Sequence, residues 1–272
     1  MKTKSRLMIA TLFVAALSFL SLSSFAQTKA ETQDTTQTKG LFYRPVRKSS
    51  PFMSQFALAS TNFWRGVDIG RQACAKLQAE YEPVDWFTVG LDAIVVSNQY
   101  KIGYGNQLNT RVGFNYMNTS FGVQDVYFNT TEIIPNDTAY FVYNKAETQH
   151  VMEAFFKYKG DSKSKIDFSA FYAFYENENN PKGACYLEAA YHLDYNARLF
   201  VGYVTKPSTV NFQSQAGFTN IGIDITRSLD FSSKFRAITR LTVSVNPSYK
   251  TIIAPNNTIS TKPLNAVLNV SF

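Results

Sequence analysis

The chain has 272 residues, 45% of them hydrophobic and 15% aromatic, with a formal net charge of +7 and a mean hydropathy of −0.18. Its 27 basic residues form no dense cluster of the kind that follows a phosphate backbone, so nucleic-acid binding is not supported. Two cysteines, Cys74 and Cys185, are too few to staple a secreted domain. A bridge between them is geometrically possible but has no local sequence support, and we expect two isolated thiols.

The chain begins with the three parts of a secretory signal. Lys2, Lys4 and Arg6 precede an apolar run over residues 7–22, and small residues follow it. A membrane-anchoring helix is the alternative, but the run is short for a span of about 20 residues and serines dilute its end. We expect residues 1–26 to be a signal peptide, whose removal leaves 24 basic and 20 acidic residues, a charge of +4.

The next part of the chain, residues 27–53, is polar without periodicity, which predicts a disordered periplasmic lead-in. From residue 54 to residue 272, side-chain polarity alternates and Gly, Pro, Asn and Asp interrupt it at short intervals, as is typical of strands and turns. Twelve segments follow this pattern, at 54–65, 72–82, 85–97, 108–117, 120–131, 148–159, 165–176, 184–193, 197–204, 215–226, 234–246 and 262–272.

Short and long spacers alternate along these segments. The spacers after segments 2, 4, 6, 8 and 10 are short, the last of them being 227–233, whereas the others are mostly longer, led by 132–147 and 247–261. A closed antiparallel barrel with tight periplasmic turns and larger external loops predicts this rhythm. We therefore predict an all-β fold, a transmembrane up-and-down β-barrel of about 12 strands in the outer membrane of a Gram-negative bacterium.

The last segment shows the two faces of a strand best. Leu264, Ala266, Leu268, Val270 and Phe272 share one face, and mostly polar side chains share the other. Its terminal phenylalanine resembles the C-terminal signature that barrel-assembly machinery recognises in outer-membrane clients, so this machinery is an expected partner. The pattern has two exceptions: the first segment alternates poorly, and an aspartate at position 125 falls on the oily face unless a bulge shifts the register.

A short motif near the first segment, Ser60-Thr61-Asn62-Phe63-Trp64-Arg65-Gly66-Val67-Asp68, resembles the opening motif of the TorF-type porins. In that motif a small or Asn residue precedes an aromatic pair and Arg-Gly. A later pairing of Trp86 with a glycine-containing strand is also similar to this family. The resemblance covers the first third of the chain and implies an outer-membrane barrel for passive transport.

The residues give little support for catalysis. Outer-membrane phospholipases place a histidine and a nucleophilic serine two residues apart on one strand face, but here Met152 and Asp194 occupy that offset from His150 and His192. His192 and Asp194 could form an orienting pair, yet no nucleophile is placed beside them. No metal-ligand spacing or phosphate loop occurs either, so we expect no enzyme activity, no metal and no cofactor.

The faces opposite the oily ones point charged side chains into the barrel. Close to balanced in sign, these candidate pore-lining residues could line a water path with a transverse field or pair off into a plug. A barrel of 12 strands lies between filled and open barrels, and inward Phe155, Phe171 and Tyr175 would narrow it. The candidates are Lys76, Glu80, Asp92, Arg111, Glu153, Lys157, Asp167, Glu188, Asp224, Arg236 and Arg240.

Two functions fit these patterns. The first is a narrow porin that passes small hydrophilic solutes passively through a charged lumen, surrounded by outer-membrane lipid. The alternative is a closed structural or surface-interaction barrel that acts through the loops 132–147 and 247–261, the first of which carries Tyr140, Phe141 and Tyr143. That first loop could instead fold inward and constrict the pore.

Overall fold

The structure is a computed structural model of the whole chain. It describes residues 50–69, 72–97, 106–128, 139–161, 164–178, 180, 182–193, 196–232, 235–249 and 263–272. The expected signal peptide, all but the last four residues of the lead-in, Asp194 and large parts of the loops 132–147 and 247–261 lie outside the described residues. Among the described residues, no helix is long and apolar enough to cross a membrane.

Twelve of the described strands form a closed antiparallel barrel, in which each strand pairs with its neighbours in the chain. The barrel strands are β1 (Phe52–Ala59), β4 (Cys74–Val84), β5 (Phe87–Val96), β6 (Gln107–Tyr116), β7 (Thr119–Phe128), β8 (His150–Tyr158), β9 (Ile166–Tyr175), β10 (Cys185–His192), β11 (Ala197–Val204), β12 (Gly217–Ser232), β13 (Phe235–Val245) and β14 (Leu264–Ser271). Two short strands, β2 (Phe63–Trp64) and β3 (Val67–Asp68), form a separate hairpin.

The barrel closes where the last strand meets the first. Ala57 pairs with Ser271 across the β1–β14 seam, and the Phe272 N–H donates to the Phe56 carbonyl at 2.8 Å. The rings of Phe56 and Phe272 stack at 6.5 Å on the outer face. Closure removes both sheet edges, so each strand finds partners on both sides within the wall.

Side chains alternate across this wall as the sequence predicts. Leu264, Leu268 and Phe272 are exposed on the outer face of β14, while Asn265 and Ser271 are buried on its inner face. Exposed aromatic rings gather on the outer face near the end of the barrel with the short turns, which we call the short-turn rim; there Trp86 stacks on Phe114, and Phe114 packs on Phe121. The opposite end is the long-loop rim.

The strand positions agree with the predicted segments except at the first and the tenth. The first barrel strand covers Phe52–Ala59, so the end of the predicted segment 54–65 leaves the wall, and the last two residues of the predicted lead-in belong to the wall. The spacer predicted at 227–233 is strand through Ser232, because β12 and β13 continue pairing beyond the end of β11 as a protruding hairpin. A bulge between β8 and β9 turns Tyr175 to the outer face, so the prediction of an inward Tyr175 is wrong, whereas Phe155 and Phe171 do face inward. A second bulge, between β11 and β12, buries Thr219.

Asp125 remains on the outer face, because β7 keeps a regular register with both β6 and β8. A histidine satisfies the carboxylate there: Nδ1 of His150 lies 2.8 Å from its Oδ2. The Tyr143 hydroxyl donates to the same oxygen at 3.2 Å, its ring stacks on His150 at 4.2 Å, and the Tyr140 carbonyl oxygen lies 2.6 Å from His150 Nε2. Residues 139–149, the described end of the first long loop, therefore fold against the outer wall and not into the lumen.

Candidate functional site

The β2–β3 hairpin leaves the wall between β1 and β4 and enters the lumen. Its turn residues, Arg65 and Gly66, have φ angles of 49° and 91°. Two adjacent residues with positive φ make the tight turn that suits a two-residue hairpin. The Ile69 N–H donates to the Asn62 carbonyl at 3.0 Å, which closes the base of the hairpin.

Arg65 fixes the tip of the hairpin to the opposite wall. Its guanidinium donates to both Glu153 oxygens at 2.7 Å and to Asn211 Oδ1 at 2.6 Å. It also lies over the Phe171 ring at 4.4 Å and the Tyr186 ring at 4.9 Å. The Arg65 and Glu153 side chains are 7% and 1% exposed, so this is a buried, bidentate ion pair with aromatic walls.

Gly66 is the point where the hairpin touches the far wall. A Cβ on this residue would overlap the carbonyl oxygen of Thr219 on β12, and φ lies in the region that disfavours L side chains. The Gly66 carbonyl accepts from Asn246 Nδ2 at 3.2 Å. Both the turn conformation and the close approach therefore require glycine here, which explains the Arg-Gly pair in the motif.

A second segment, residues 205–216 between β11 and β12, packs on the hairpin. The Trp64 indole N–H donates to the Val210 carbonyl at 2.8 Å. Val210 and Phe212 are 1% exposed and form one apolar cluster with Val67 and Ile69 of the hairpin. The hairpin and this segment, which we together call the plug, lie inside the lumen and contact its inner wall.

Most of the predicted lumen charges lie below the plug, in two ion-pair clusters. Arg111 donates to Asp92 at 2.5 Å and to Glu80. Across the lumen, Arg198 donates to Asp224 at 2.7 Å, with Glu188 at 3.9 Å and Asp167 at 4.0 Å. His192 Nε2 lies 2.8 Å from a carboxylate oxygen of Asp167. His192 therefore contacts Asp167, whereas its predicted partner, Asp194, lies outside the described residues.

Five predicted candidates lie outside these two clusters: Glu153, Lys157, Arg236, Lys76 and Arg240. Glu153 holds Arg65, and Lys157 lies over the rings of Phe155 and Phe171 at 5.1 and 5.4 Å. Arg236 lies on the protruding β12–β13 hairpin, 64% exposed, and pairs with an equally exposed aspartate at position 230. It therefore lies beyond the rim, although its strand face is that of Arg240.

Lys76 and Arg240 line a cavity of about 340 Å³ between the plug and the wall formed by β13, β14, β1, β4, β5 and β6. Gln55, Asn109 and Asn269 also line it, and the hairpin contributes Trp64. This cavity unites residues from both ends of the barrel sequence, which only closure of the sheet brings together.

Three inward residues that the sequence analysis did not select also matter. Arg198 was missed because it opens a short segment with weak alternation, and Arg65 because it ends the first predicted segment, 54–65, which alternates poorly. Glu176 follows β9 directly, where the bulge reverses the face that side chains take. The Arg-Gly motif was the one local signal that could have identified Arg65.

Glu176 is a buried acid just beyond the end of β9, only 4% exposed, and its Oε2 has no hydrogen-bond partner among the described residues. Burial, reinforced by the negative charge of Glu153 and opposed by Lys182, raises the pKa of Glu176 to about 7. At neutral pH this carboxyl is therefore protonated in about half of the molecules.

We expect Glu176 to make the folded protein less stable as pH rises. The folded state holds the Glu176 proton up to about pH 7, whereas an unfolded chain releases it near pH 4.5. The tighter proton binding of the folded state therefore contributes its full stabilisation below pH 4.5, and this contribution is lost as the pH rises through 7. Thermal unfolding of the wild type and of Glu176→Gln between pH 4 and pH 9 tests this. The melting temperature of Glu176→Gln should fall less over that range, and parallel curves would contradict the assignment.

Comparison with known proteins leaves the family open. No family model matches the chain, and no curated protein matches it in sequence. Among solved structures, the COG4313 outer membrane channel from Pseudomonas putida F1 aligns with a TM-score of 0.41 and 12% identity, over 88% of this chain and 98% of that one. At this level the likeness adds no argument to the strand pairing described above, and the resemblance to the TorF-type porins stays a prediction.

Proposed function

We propose that this protein is a β-barrel of the bacterial outer membrane that passes small hydrophilic solutes passively, as a narrow porin. The observation that carries the proposal is the division of the closed wall, with apolar and aromatic side chains outside and amide, hydroxyl and charged side chains around a lumen with a cavity. Such an outer surface suits hydrocarbon, where backbone groups must be paired within the wall. Such a lumen suits water and polar solutes.

Orientation and assembly belong to the same proposal. The short-turn rim would face the periplasm and the long-loop rim the outside, with lipid around the wall. Residues 1–26 would direct export, and Phe272 would carry the signal for the barrel-assembly machinery. The position of Phe272 at the β1–β14 seam supports this role, because a strand recognised there is the strand that closes the barrel.

Single-channel recording of refolded residues 27–272 in a planar bilayer tests the proposal. Because the plug is anchored inside the lumen, we expect small and infrequent current steps whose size grows with salt concentration. Heat-modifiable mobility on a denaturing gel would establish that the inserted protein is folded. Silence from folded wild type and from a variant with a released plug would overturn the porin function.

The plug also favours a second candidate, a closed structural or surface-interaction barrel. A buried bidentate pair and an apolar cluster hold the hairpin in place, and residues 139–149 cover the outer wall with Phe141 81% exposed. The two candidates differ in one property: a porin conducts once the plug is released, whereas a barrel that acts through its loops has no need of a continuous lumen.

A further inference from the structure

We infer that the cavity beneath the plug is a binding site for a small organic dianion, of the chemical class of short dicarboxylates. The inference rests on the proposed function, since solutes would meet this cavity on their way through the lumen. Its centre is the pair of cations that line the cavity from opposite sides of the barrel seam, Lys76 on β4 and Arg240 on β13.

These two cations differ from the three paired arginines of the lumen. Arg65, Arg111 and Arg198 each form a hydrogen-bonded ion pair with a carboxylate. Within the part of the chain that the structure describes, no carboxylate lies within ion-pair distance of Lys76 or Arg240. Both side chains are partly buried, and Arg240 lies close enough to Lys76 to act on it electrostatically. Two like charges in this position are unfavourable unless an anion compensates them. Lys157 also has no carboxylate within ion-pair distance among the described residues, but it lies over the rings of Phe155 and Phe171 and does not line the cavity.

The acidic side chains near the cavity already accept hydrogen bonds from other residues. Asp92 lines it, but Arg111 binds one of its oxygens at 2.5 Å and Gln78 donates to the other at 3.0 Å. Asp224 acts electrostatically on Arg240, but it accepts from Arg198 at 2.7 Å and from Thr242 at 2.5 Å. The positive charge of the cavity is therefore not cancelled from within the described lumen.

The remaining lining fixes the kind of anion. Gln55, Asn109 and Asn269 supply neutral groups that can hydrogen-bond an oxyanion, whereas Phe63 and Ile238 supply apolar surface. A volume of about 340 Å³ lies at the small end of ligand sites. This lining matches two carboxylates joined by a few methylene groups better than a compact inorganic ion. The two cations and the amide donors suit the carboxylates, and the apolar surface suits the methylene groups between them.

Calorimetric titration of the refolded protein in detergent with succinate tests the inference, with the neutral succinamide and inorganic phosphate as comparison probes. The variant is Lys76→Gln/Arg240→Gln, and the matched control is Arg236→Gln, which removes the same charge from the same face of β13 beyond the rim. We expect the double variant to bind succinate at least about tenfold more weakly, because it loses both charge-assisted contacts to the carboxylates. Arg236→Gln should bind as the wild type does.

Equal succinate affinity in the double variant, or equal affinity for succinamide, would overturn the site. Phosphate bound as tightly as succinate would overturn the dicarboxylate class. If the double variant does not fold, Lys76→Gln and Arg240→Gln separately serve the same purpose. Bilayer recording separates the two proposals: binding without conductance leaves the site and refutes the porin, whereas conductance with no succinate binding leaves the porin and refutes the site.

Discussion

Arg65→Met should convert the barrel from a closed to an open form. The substitution keeps most of the side-chain volume but leaves Glu153 buried without its partner, and breaking a buried ion pair costs about 3–5 kcal/mol. A change of this size shifts the balance between seated and released hairpin by roughly a hundredfold or more. Single-channel recording should show larger and more frequent current steps than the wild type.

A second variant separates release of the plug from general damage. Arg65→Met/Glu153→Gln removes both charges, so the unpaired carboxylate no longer drives the hairpin out, and we expect conductance between those of the wild type and the single variant. The wall of the barrel does not depend on this pair, so all three proteins should show heat-modifiable mobility. Unchanged conductance in folded Arg65→Met would show that the hairpin does not limit the lumen.

Gly66→Val should release the same hairpin while leaving every charge in place. The new Cβ would overlap the Thr219 carbonyl, which is part of the β12 backbone and cannot turn aside as a flexible side chain could. The positive φ adds about 1–2 kcal/mol. We expect the conductance of Gly66→Val to rise as far as that of Arg65→Met, measured in the same bilayers.

Gly183→Val is the matched control for this substitution. Gly183 also has a positive φ, 71°, but a Cβ there would meet its nearest atom, the Tyr172 hydroxyl, at an ordinary contact distance of 3.6 Å. This variant therefore carries the backbone cost without the overlap at the far wall. Similar conductance from the two valine variants would attribute the effect to backbone strain, and the close approach to Thr219 would have no special role.

The barrel was predictable because its signal is local. Strand alternation in a one-sided wall repeats every two residues, and short turns carry their own residue preferences, so ten of the twelve strands begin and end close to the predicted positions and the faces of β14 are as expected. The predicted side-chain directions are wrong where a bulge interrupts the two-residue alternation. A bulge adds one residue and reverses all faces beyond it, which moved Tyr175 outward and brought Glu176 inward.

The plug was not predictable from such a signal. Arg65 finds Glu153 88 positions along the chain and Asn211 146 positions along it, and no local pattern encodes partners so distant. The lumen charges pair along the wall between neighbouring strands: Arg198 on β11 lies directly opposite Asp224 on β12, and Arg111 on β6 binds Asp92 on β5. The inward direction of these side chains follows from alternation, but their pairing depends on the exact register of each strand pair, which alternation does not specify. The sequence therefore left an open water path and a salt-bridged plug equally weighted.

The position of the hairpin in the chain implies an order of assembly. The hairpin follows the first strand, yet its anchors lie on β8 and β12 and between β11 and β12, so it cannot seat until most of the wall exists. Contacts this distant in sequence form slowly. The two tryptophans of the chain lie in the two parts that form at different times. Trp86 is exposed on the outer wall, and Trp64 of the hairpin contacts Val210 inside the lumen. The lumen of a newly formed barrel is therefore unfilled until the hairpin seats, and we expect folding to end with the step that fills it.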